Sequence, residues 1–480
     1  IDTQPQARAA STAHPLATQA ALRMLAAGGS AVDAAVAAQL VLGLVEPQSS
    51  GLGGGALLLV WDDATRRLRS YDGLAAAPAR VTASLRTDLD GQQLPLDSVS
   101  RSGRAVGVPG LPALLAQAHR RHGRLPWEKL FEPAIELARD GFPVAPYVHG
   151  ILARDPGARA HAAFRNDWFD AAGQVHAVGT RLRNPAYAQT LARLAALGVD
   201  GFWRDGGAAR LVAAVQQGPH AGLMTVDDVL RYRVVEREAL CAPVQAWRVC
   251  SAGPPSFGGI AVLQTLQMMA PPAGPAIDAA ALDDAGFWHR WAEVGRLVQA
   301  DRRHWVGDPD HVEVPARGLV DAAYLQRRAA GIDPQRAAAA PRHGAPPVAD
   351  QTSQIVVADA AGQVVSMTTT INLNFGARIR VDGYVLNNAL TNFGPATERG
   401  APAANRMAAG KRPVTSMAPV IVFDAQGRVL LAGGSAGGGP IVDYVARNLL
   451  EMLWLGRTPA QALAGGHVTT AMAPRVQLEA

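Results

Sequence analysis

The chain has 480 residues, of which 49% are hydrophobic and 18% charged, enough apolar chain for a sizeable core and too few charges for a long disordered protein. Its net charge of +5 is a thin excess of 45 basic over 40 acidic side chains. The arginines are dispersed, in pairs at most such as Arg302-Arg303, and with 5% aromatics and no recognition motif nothing supports a nucleic-acid partner. Residues 15–27 read as a helix ended by Gly28-Gly29, and Ser30 with Asp33 makes a capping-box-like start for a second helix to about Leu44. The run from Ser49 to Gly55 stops it, and residues 56–61 read as a buried strand. So many glycines before a strand imply something close above its backbone.

From about Gly110 to Gly331 the pattern is mainly helical, at 111–121, 127–140, 186–197, 260–269 and 287–304, with strand-like pieces near 232–239 and 245–251. Residues 270–282 and 333–351 are rich in Pro, Gly and Ala, and the second is the better linker candidate. After it, residues 354–358 and 363–371 alternate around Ala360-Ala361-Gly362 as a hairpin. Strands follow at 380–387, 417–423 and 429–432, then a helix from Ile441 to about Trp454. Helices followed by strands without βαβ alternation point to an α/β or α+β layered sheet with much antiparallel pairing.

Cys241 and Cys250 are the only cysteines, which excludes a disulfide scaffold and a four-cysteine metal site. A hairpin could join them, but two inert buried thiols are the preferred reading. The twelve histidines are scattered without metal-ligand spacing, so no metal and no cofactor is expected. No run of 18 apolar residues occurs, so no membrane span is expected. Ile1 opens no basic and apolar leader, so the chain is either a mature form or never exported.

Gly433-Gly434-Ser435-Ala436-Gly437 matches a nucleophile elbow between strand and helix. That reading needs an acid and a histidine downstream, and only Asp443 and His467 are available. The same loop could be a backbone cradle for an oxyanion, or only a turn that lets sheet and helix pack. Gln351-Thr352-Ser353-Gln354, at the end of the linker, suits a self-cleaving N-terminal nucleophile. Before cleavage the threonine hydroxyl can attack the preceding carbonyl; afterwards its own α-amine, with an ordinary pKa of about 7.7–8.0, is a built-in base. Thr368-Thr369-Thr370 offers a partner hydroxyl across the hairpin, although a threonine-rich hairpin is also simply good strand composition.

Seven collinear segments then resemble the γ-glutamyltranspeptidase family of N-terminal nucleophile hydrolases, from about residue 11 to the end: residues 12–55 (TAHPLATQ to GLGGG), AVGVPGLPALL, PPSFGGIAVLQTLQMM, QTSQIVVADAAGQVVSMTTTIN, LNNALTNFG, GKRPVTSMAP and GGSAGGG. The resemblance implies a four-layer αββα fold and a precursor that cuts itself between Gln351 and Thr352. The products would be a large subunit, 1–351, and a small subunit, 352–480, associated as a heterodimer in one composite domain. Thr352 resembles the nucleophile, Thr370 its hydroxyl partner, and Gly437 and Gly438 the oxyanion donors, which makes Ser435 structural. Thr415 and Ser416 match the hydroxyl pair that holds the donor's α-carboxylate, and Asn372 a polar contact to its α-amino group.

Three departures bear on the substrate. Leu74 stands where the family carries the arginine for the α-carboxylate, Asn392 where it carries the acid for the α-ammonium, and Ala389 replaces a further polar contact. Arg378 either supplies a new anion contact or is a solvated strand arginine. The loop 393–410 is short, which suits an open site, and the chain stops at Ala480 where the family commonly continues. The expected activity is acyl transfer from a small-molecule amide or γ-glutamyl donor to water or an amine. A non-γ-glutamyl acyl group, as in cephalosporin acylases, and an unprocessed non-enzymatic relative are the alternatives. Relatives are often exported, so a periplasmic or secreted site is implied, with a cytoplasmic one left open by the missing leader.

Overall fold

The computed structural model describes residues 8–82, 84–88, 90–270, 277–338, 350–398, 401–470 and 476–478. The strands that position the candidate residues are β1 (Ala9–Thr12), β2 (Gly55–Asp62), β3 (Arg67–Gly73), β4 (Val235–Arg237), β5 (Leu240–Val244), β6 (Trp247–Ser251), β7 (Asp350–Ala358), β8 (Val364–Leu373), β9 (Val420–Phe423) and β10 (Val429–Gly433). The chain forms two compact units, residues 1–236, 351–393 and 407–413 in one and 237–350, 394–406 and 414–480 in the other. Each unit therefore draws chain from both sides of Thr352. Most of the expected linker, residues 339–349, lies outside the described residues, as do 271–276 of the other Pro/Ala-rich stretch.

The first unit is built on a sheet of order β1-β7-β8-β2-β3-β4. Its β2/β8 register pairs Leu58 with Met367 and Val60 with Val365. These residues, with Ile355 and Val357 of β7, join the core beneath helices α1 (Pro15–Ala26) and α2 (Ala31–Val45). Alternation along a strand sends the intervening residues to the other face, which is rich in hydroxyls: Thr352, Ser366, Thr368 and Thr370. The capping box at Ser30 is present as expected, with Ser30 Oγ accepting from Asp33 N and Asp33 Oδ2 from Ser30 N. All fifteen residues of α2 are buried. The glycines before β2 meet backbone: a Cβ at Gly53 would lie 2.2 Å from Val385 O and one at Gly54 2.3 Å from Thr370 O.

The second unit carries a sheet of order β10-β9-β6-β5, with helix α3 (Phe257–Met269) fully buried but for Gln267 and helix α4 (Ile441–Leu453) following β10. Two expectations are corrected here. The strand expected over 380–387 is two short pieces, Arg380–Val381 and Tyr384–Val385, because Asp382 and Gly383 take positive φ of 48° and 86° and turn the chain between them. The cysteines are not inert thiols but a disulfide. A two-residue turn between β5 and β6 makes Cys241 and Cys250 directly opposed partners, which is the closest approach an antiparallel pair offers. Among the described residues no helix is long and apolar enough to cross a membrane.

Closing a short loop of this kind removes little denatured-state entropy, about 2–3 kcal/mol on the chain-entropy model. Replacing both cysteines by serine should therefore lower the unfolding free energy by about 2 kcal/mol, read from urea denaturation. Equal midpoints for the variant and the parent chain would show that the bond contributes nothing.

Candidate active site

The expected site residues divide between the units. Thr352, Thr370, Asn372, Arg378, Ala389, Asn392 and Leu74 belong to the first, and Thr415, Ser416, Gly437 and Gly438 to the second.

In the first unit the geometry starts from the β7–β8 turn. Asp359 N donates to Gln363 O at 3.0 Å, and Asp359 Oδ1 accepts from Ala361 N and Gln363 N, both at 2.9 Å. Further along, Thr368 Oγ1 donates to Gln354 Oε1 at 2.6 Å. These ties agree on one register, and continued without a bulge it sets Thr352 opposite Thr370. Directly opposed residues have Cβ atoms about 4.5–5.5 Å apart, close enough for two hydroxyls to interact. Thr352 is buried, at 4% exposure, and Thr370 is half-buried.

Past Thr370 the strand ends in a network of amides. Asn372 takes the left-handed conformation, φ 79°, which asparagine tolerates better than most residues. Its N–H donates to Thr370 Oγ1 at 2.7 Å, and its Nδ2 donates to Thr391 Oγ1 at 2.7 Å and to Asn388 Oδ1 at 3.2 Å. Asn388 Oδ1 also accepts from Leu373 N, while its Nδ2 donates to Ser100 O. Asn387 is fully engaged, donating to Gly53 O and Gly107 O and accepting from Gly107 N and Ala389 N. Buried amides of this kind are stable only with partners on both ends. Asn392 closes the short helix Ala389–Asn392 and is half-buried.

Leu74 is buried, its N–H donating to Asp72 Oδ1 and its carbonyl accepting from Tyr232 Oη. The Arg412 guanidinium at this turn is engaged by Asp72 at 3.4 Å and by Arg233 O at 2.8 Å. Arg378 is neither solvated nor on a regular strand. Its φ is 58°, its side chain is 9% exposed, and it is paired with Asp155.

In the second unit, Gly437 and Gly438 have φ of 117° and 66°, and a Cβ on Gly437 would lie 2.8 Å from the Tyr444 ring. Their N–H groups donate to nothing among the described residues. Gly438 O accepts from Ser416 Oγ at 2.5 Å and from Ile441 N at 3.1 Å, which braces the loop against the first turn of α4. Thr415 pairs with Ser256 in a parallel bridge, and its Oγ1 accepts from Met417 N. The elbow reading fails at Ser435: its hydroxyl donates to Ala436 O, and no histidine reaches it among the described residues.

A family model described as Gamma-glutamyltranspeptidase matches residues 17–480, and the chain belongs to that family. It is 33% identical over 470 residues to the glutathione hydrolase proenzyme of Bacillus subtilis (strain 168), covering 93% of this chain and 77% of the relative. It is 34% identical over 456 residues to the acylase ACY 1 proenzyme of Pseudomonas sp. (strain SE83), covering 92% and 78%. Among solved structures, the cephalosporin acylase from Bacillus halodurans matches with a TM-score of 0.85 at 25% identity, over 100% of this chain and 87% of that one. The chain is thus a γ-glutamyltransferase-like enzyme with the mixed α+β fold of N-terminal nucleophile hydrolases.

The sequence reading missed the residues that position the site. Asn387, Asn388 and Thr391 stood within LNNALTNFG, where several amides crowded into one apolar stretch were the available signal. Glu46 gave none. It caps the end of α2, is 4% exposed, and sits beside Ser353 on the helix side of β7. Burial pushes its carboxyl up to about 7, with the Ser353 hydroxyl opposing. A carboxyl raised from 4.5 holds in the folded state a proton that the unfolded chain releases. Stability should therefore fall as pH rises from about 4.5 to about 7 and stay level above. Glu46→Gln should remove that slope and gain on the order of 3 kcal/mol at pH 8. Urea midpoints at pH 5 and pH 8 check it, and a parent chain equally stable at both would refute it.

Proposed function

We propose that this enzyme is an autoprocessed N-terminal threonine amidase with Thr352 as its nucleophile. The observation that carries the reading is the hairpin register fixed by the Thr368–Gln354 and Asp359–Gln363 bonds, which continued without a bulge puts Thr352 opposite Thr370 on the hydroxyl-bearing face. In the precursor, the Thr352 hydroxyl adds to the Gln351 carbonyl and the C–N bond breaks, leaving an ester and a free α-amine. Water then hydrolyses the ester and releases the large subunit, 1–351, from the small one, 352–480. Because each compact unit contains chain from both sides of Thr352, sheet hydrogen bonds keep the two products together as a heterodimer.

In the mature enzyme the α-amine, with an ordinary pKa of about 7.7–8.0, takes the hydroxyl proton as Thr352 Oγ1 attacks the substrate amide. Thr370 orients that hydroxyl. By the family resemblance the N–H groups of Gly437 and Gly438, which have no partner among the described residues, serve as the oxyanion donors. Collapse expels the amine, protonated by the same α-ammonium, and the acyl-enzyme passes its acyl group to water or to an amine.

Glutathione-like γ-glutamyl donors are one substrate class, supported by the glutathione hydrolase relatives and by Asn372, Thr415 and Ser416 at the family's contact positions. A second reading is favoured by particular residues: with Leu74 and Asn392 the two formal charges that would grip a γ-glutamyl zwitterion are missing, and a relative named as an acylase is equally similar. Losing a charge-assisted contact weakens binding by tenfold or more, at about 1.5–3 kcal/mol each.

On a denaturing gel the purified protein should run as fragments of 351 and 129 residues, and Thr352→Ala as one band of 480. A parent chain that stays whole would instead identify an unprocessed, non-enzymatic relative. Turnover of a γ-glutamyl anilide should be no better than that of the glutaryl anilide lacking the α-amino group. Strong preference for the γ-glutamyl compound would show that the anchors are supplied elsewhere.

A further inference from the structure

We propose that Arg101 and Arg378 form a subsite for a carboxylate of the substrate, apart from the positions at which the family grips its donor. The inference rests on the amidase reading for the word substrate, but the site itself stands on its own geometry in the first unit.

Arg101 follows Ser100, whose carbonyl holds Asn388. Its Nη1 donates to Asn374 O at 2.5 Å and to Gly376 O at 2.8 Å, carbonyls just beyond Asn372. Nε and Nη2 have no hydrogen-bond partner among the described residues, and the side chain is only half-buried. Arg378 lies close enough for the two positive charges to repel. It is nine-tenths buried, and its Nε is a buried donor with no acceptor. A Cβ on Gly157 would fall 2.2 Å from Arg378 Nη1, so glycine there leaves the guanidinium its place.

The charges do not balance. Among the described residues, Asp155 is the carboxylate that pairs with Arg378 and acts on Arg101, and its oxygens are engaged by Arg378 and by Ala158 N. His161 faces the same group, but burial and then the two guanidiniums push its pKa down, so it adds no charge at neutral pH. The Arg101 guanidinium is pushed down to about 10, first by burial and then by Arg378. One uncompensated positive charge and two unused donors on Arg101, backed by the buried charge of Arg378, match a monoanionic carboxylate, which accepts from a guanidinium fork. The site would favour acyl or leaving groups that carry an acid over neutral ones.

The probe is glutarate, with uncharged glutaramide as control, added to the purified protein. Glutarate should raise the melting temperature and bind in calorimetry, glutaramide should do neither, and Arg101→Gln should weaken glutarate by about tenfold or more. Arg101→Lys, which keeps a charge and a donor, guards against misfolding and should bind between the two. Glutarate binding unchanged in Arg101→Gln, or glutaramide binding as well as glutarate, would overturn the subsite. With anilides, a glutaryl substrate should show a raised KM in Arg101→Gln. Cleavage before Thr352 reads the amidase assignment separately. A chain that stays whole yet binds glutarate through Arg101 sinks that assignment alone, and a processed enzyme that binds glutarate independently of Arg101 sinks the subsite alone.

Discussion

Helix α2 is the clamp on which the candidate nucleophile's position depends. At its start, Ala31 N donates to Asp359 Oδ2 and Val32 N to Gln363 Oε1, so the orphan donors of the first turn fasten the tip of the β7–β8 hairpin. Arg124 adds its charge to the same Asp359 carboxylate at 3.2 Å. At the other end, the loop leaving α2 accepts from the far end of β8: Ser49 O from Ile371 N and Gln48 O from Phe375 N. Fifteen helical residues span about 22 Å, which is close to the rise of the strand between those ties. A hairpin held at both ends cannot slip by one residue, and a slip of one would turn Thr352 and Thr370 to the helix face.

The same clamp explains why the polar residues around it are buried at all. Asp33 is fully buried yet accepts from Ser30 N, Arg124 N and Leu125 N, three backbone donors that would otherwise be orphaned. Asn387 and Asn388 do the equivalent work at the opposite end, binding the glycine-rich approach to β2, the 100–107 segment and the end of β8 to one another. A side chain in place of Gly53 or Gly54 would push these backbones apart. The glycine run is therefore explained by close backbone packing and needs no ligand above it.

Much of this was legible in the sequence where the signal is local. The Ser30/Asp33 cap, the helix 441–453 and the alternating hairpin after residue 354 follow from short-range chemistry, and the ordered motifs named the family. What was not legible depends on partners far along the chain. Strand β3 reads as RLRSYDG, too polar to stand out until Leu58 and Val60 supply its neighbours. The disulfide required the two-residue turn that sets Cys241 against Cys250, and periodicity does not fix a register. Arg378 read as a strand residue because nothing local announces Asp155, 223 positions away.

These distant pairings bear on specificity. The Asp72 carboxylate holds both Leu74 N and Arg412, and Arg412 also donates to Arg233 O. A buried ion pair of this kind resists being broken to bind a ligand, since the remaining charge would be left without compensation. Arg412, committed to Asp72 and Arg233, is thus not available to a carboxylate beside Leu74. Arg101 differs in having donors to give: its Nε and Nη2 have no partner among the described residues, and the nearby Asp155 carboxylate is already engaged by Arg378 and Ala158 N. Which guanidinium already has its acid is thus a property of the fold rather than of the number of arginines in the chain.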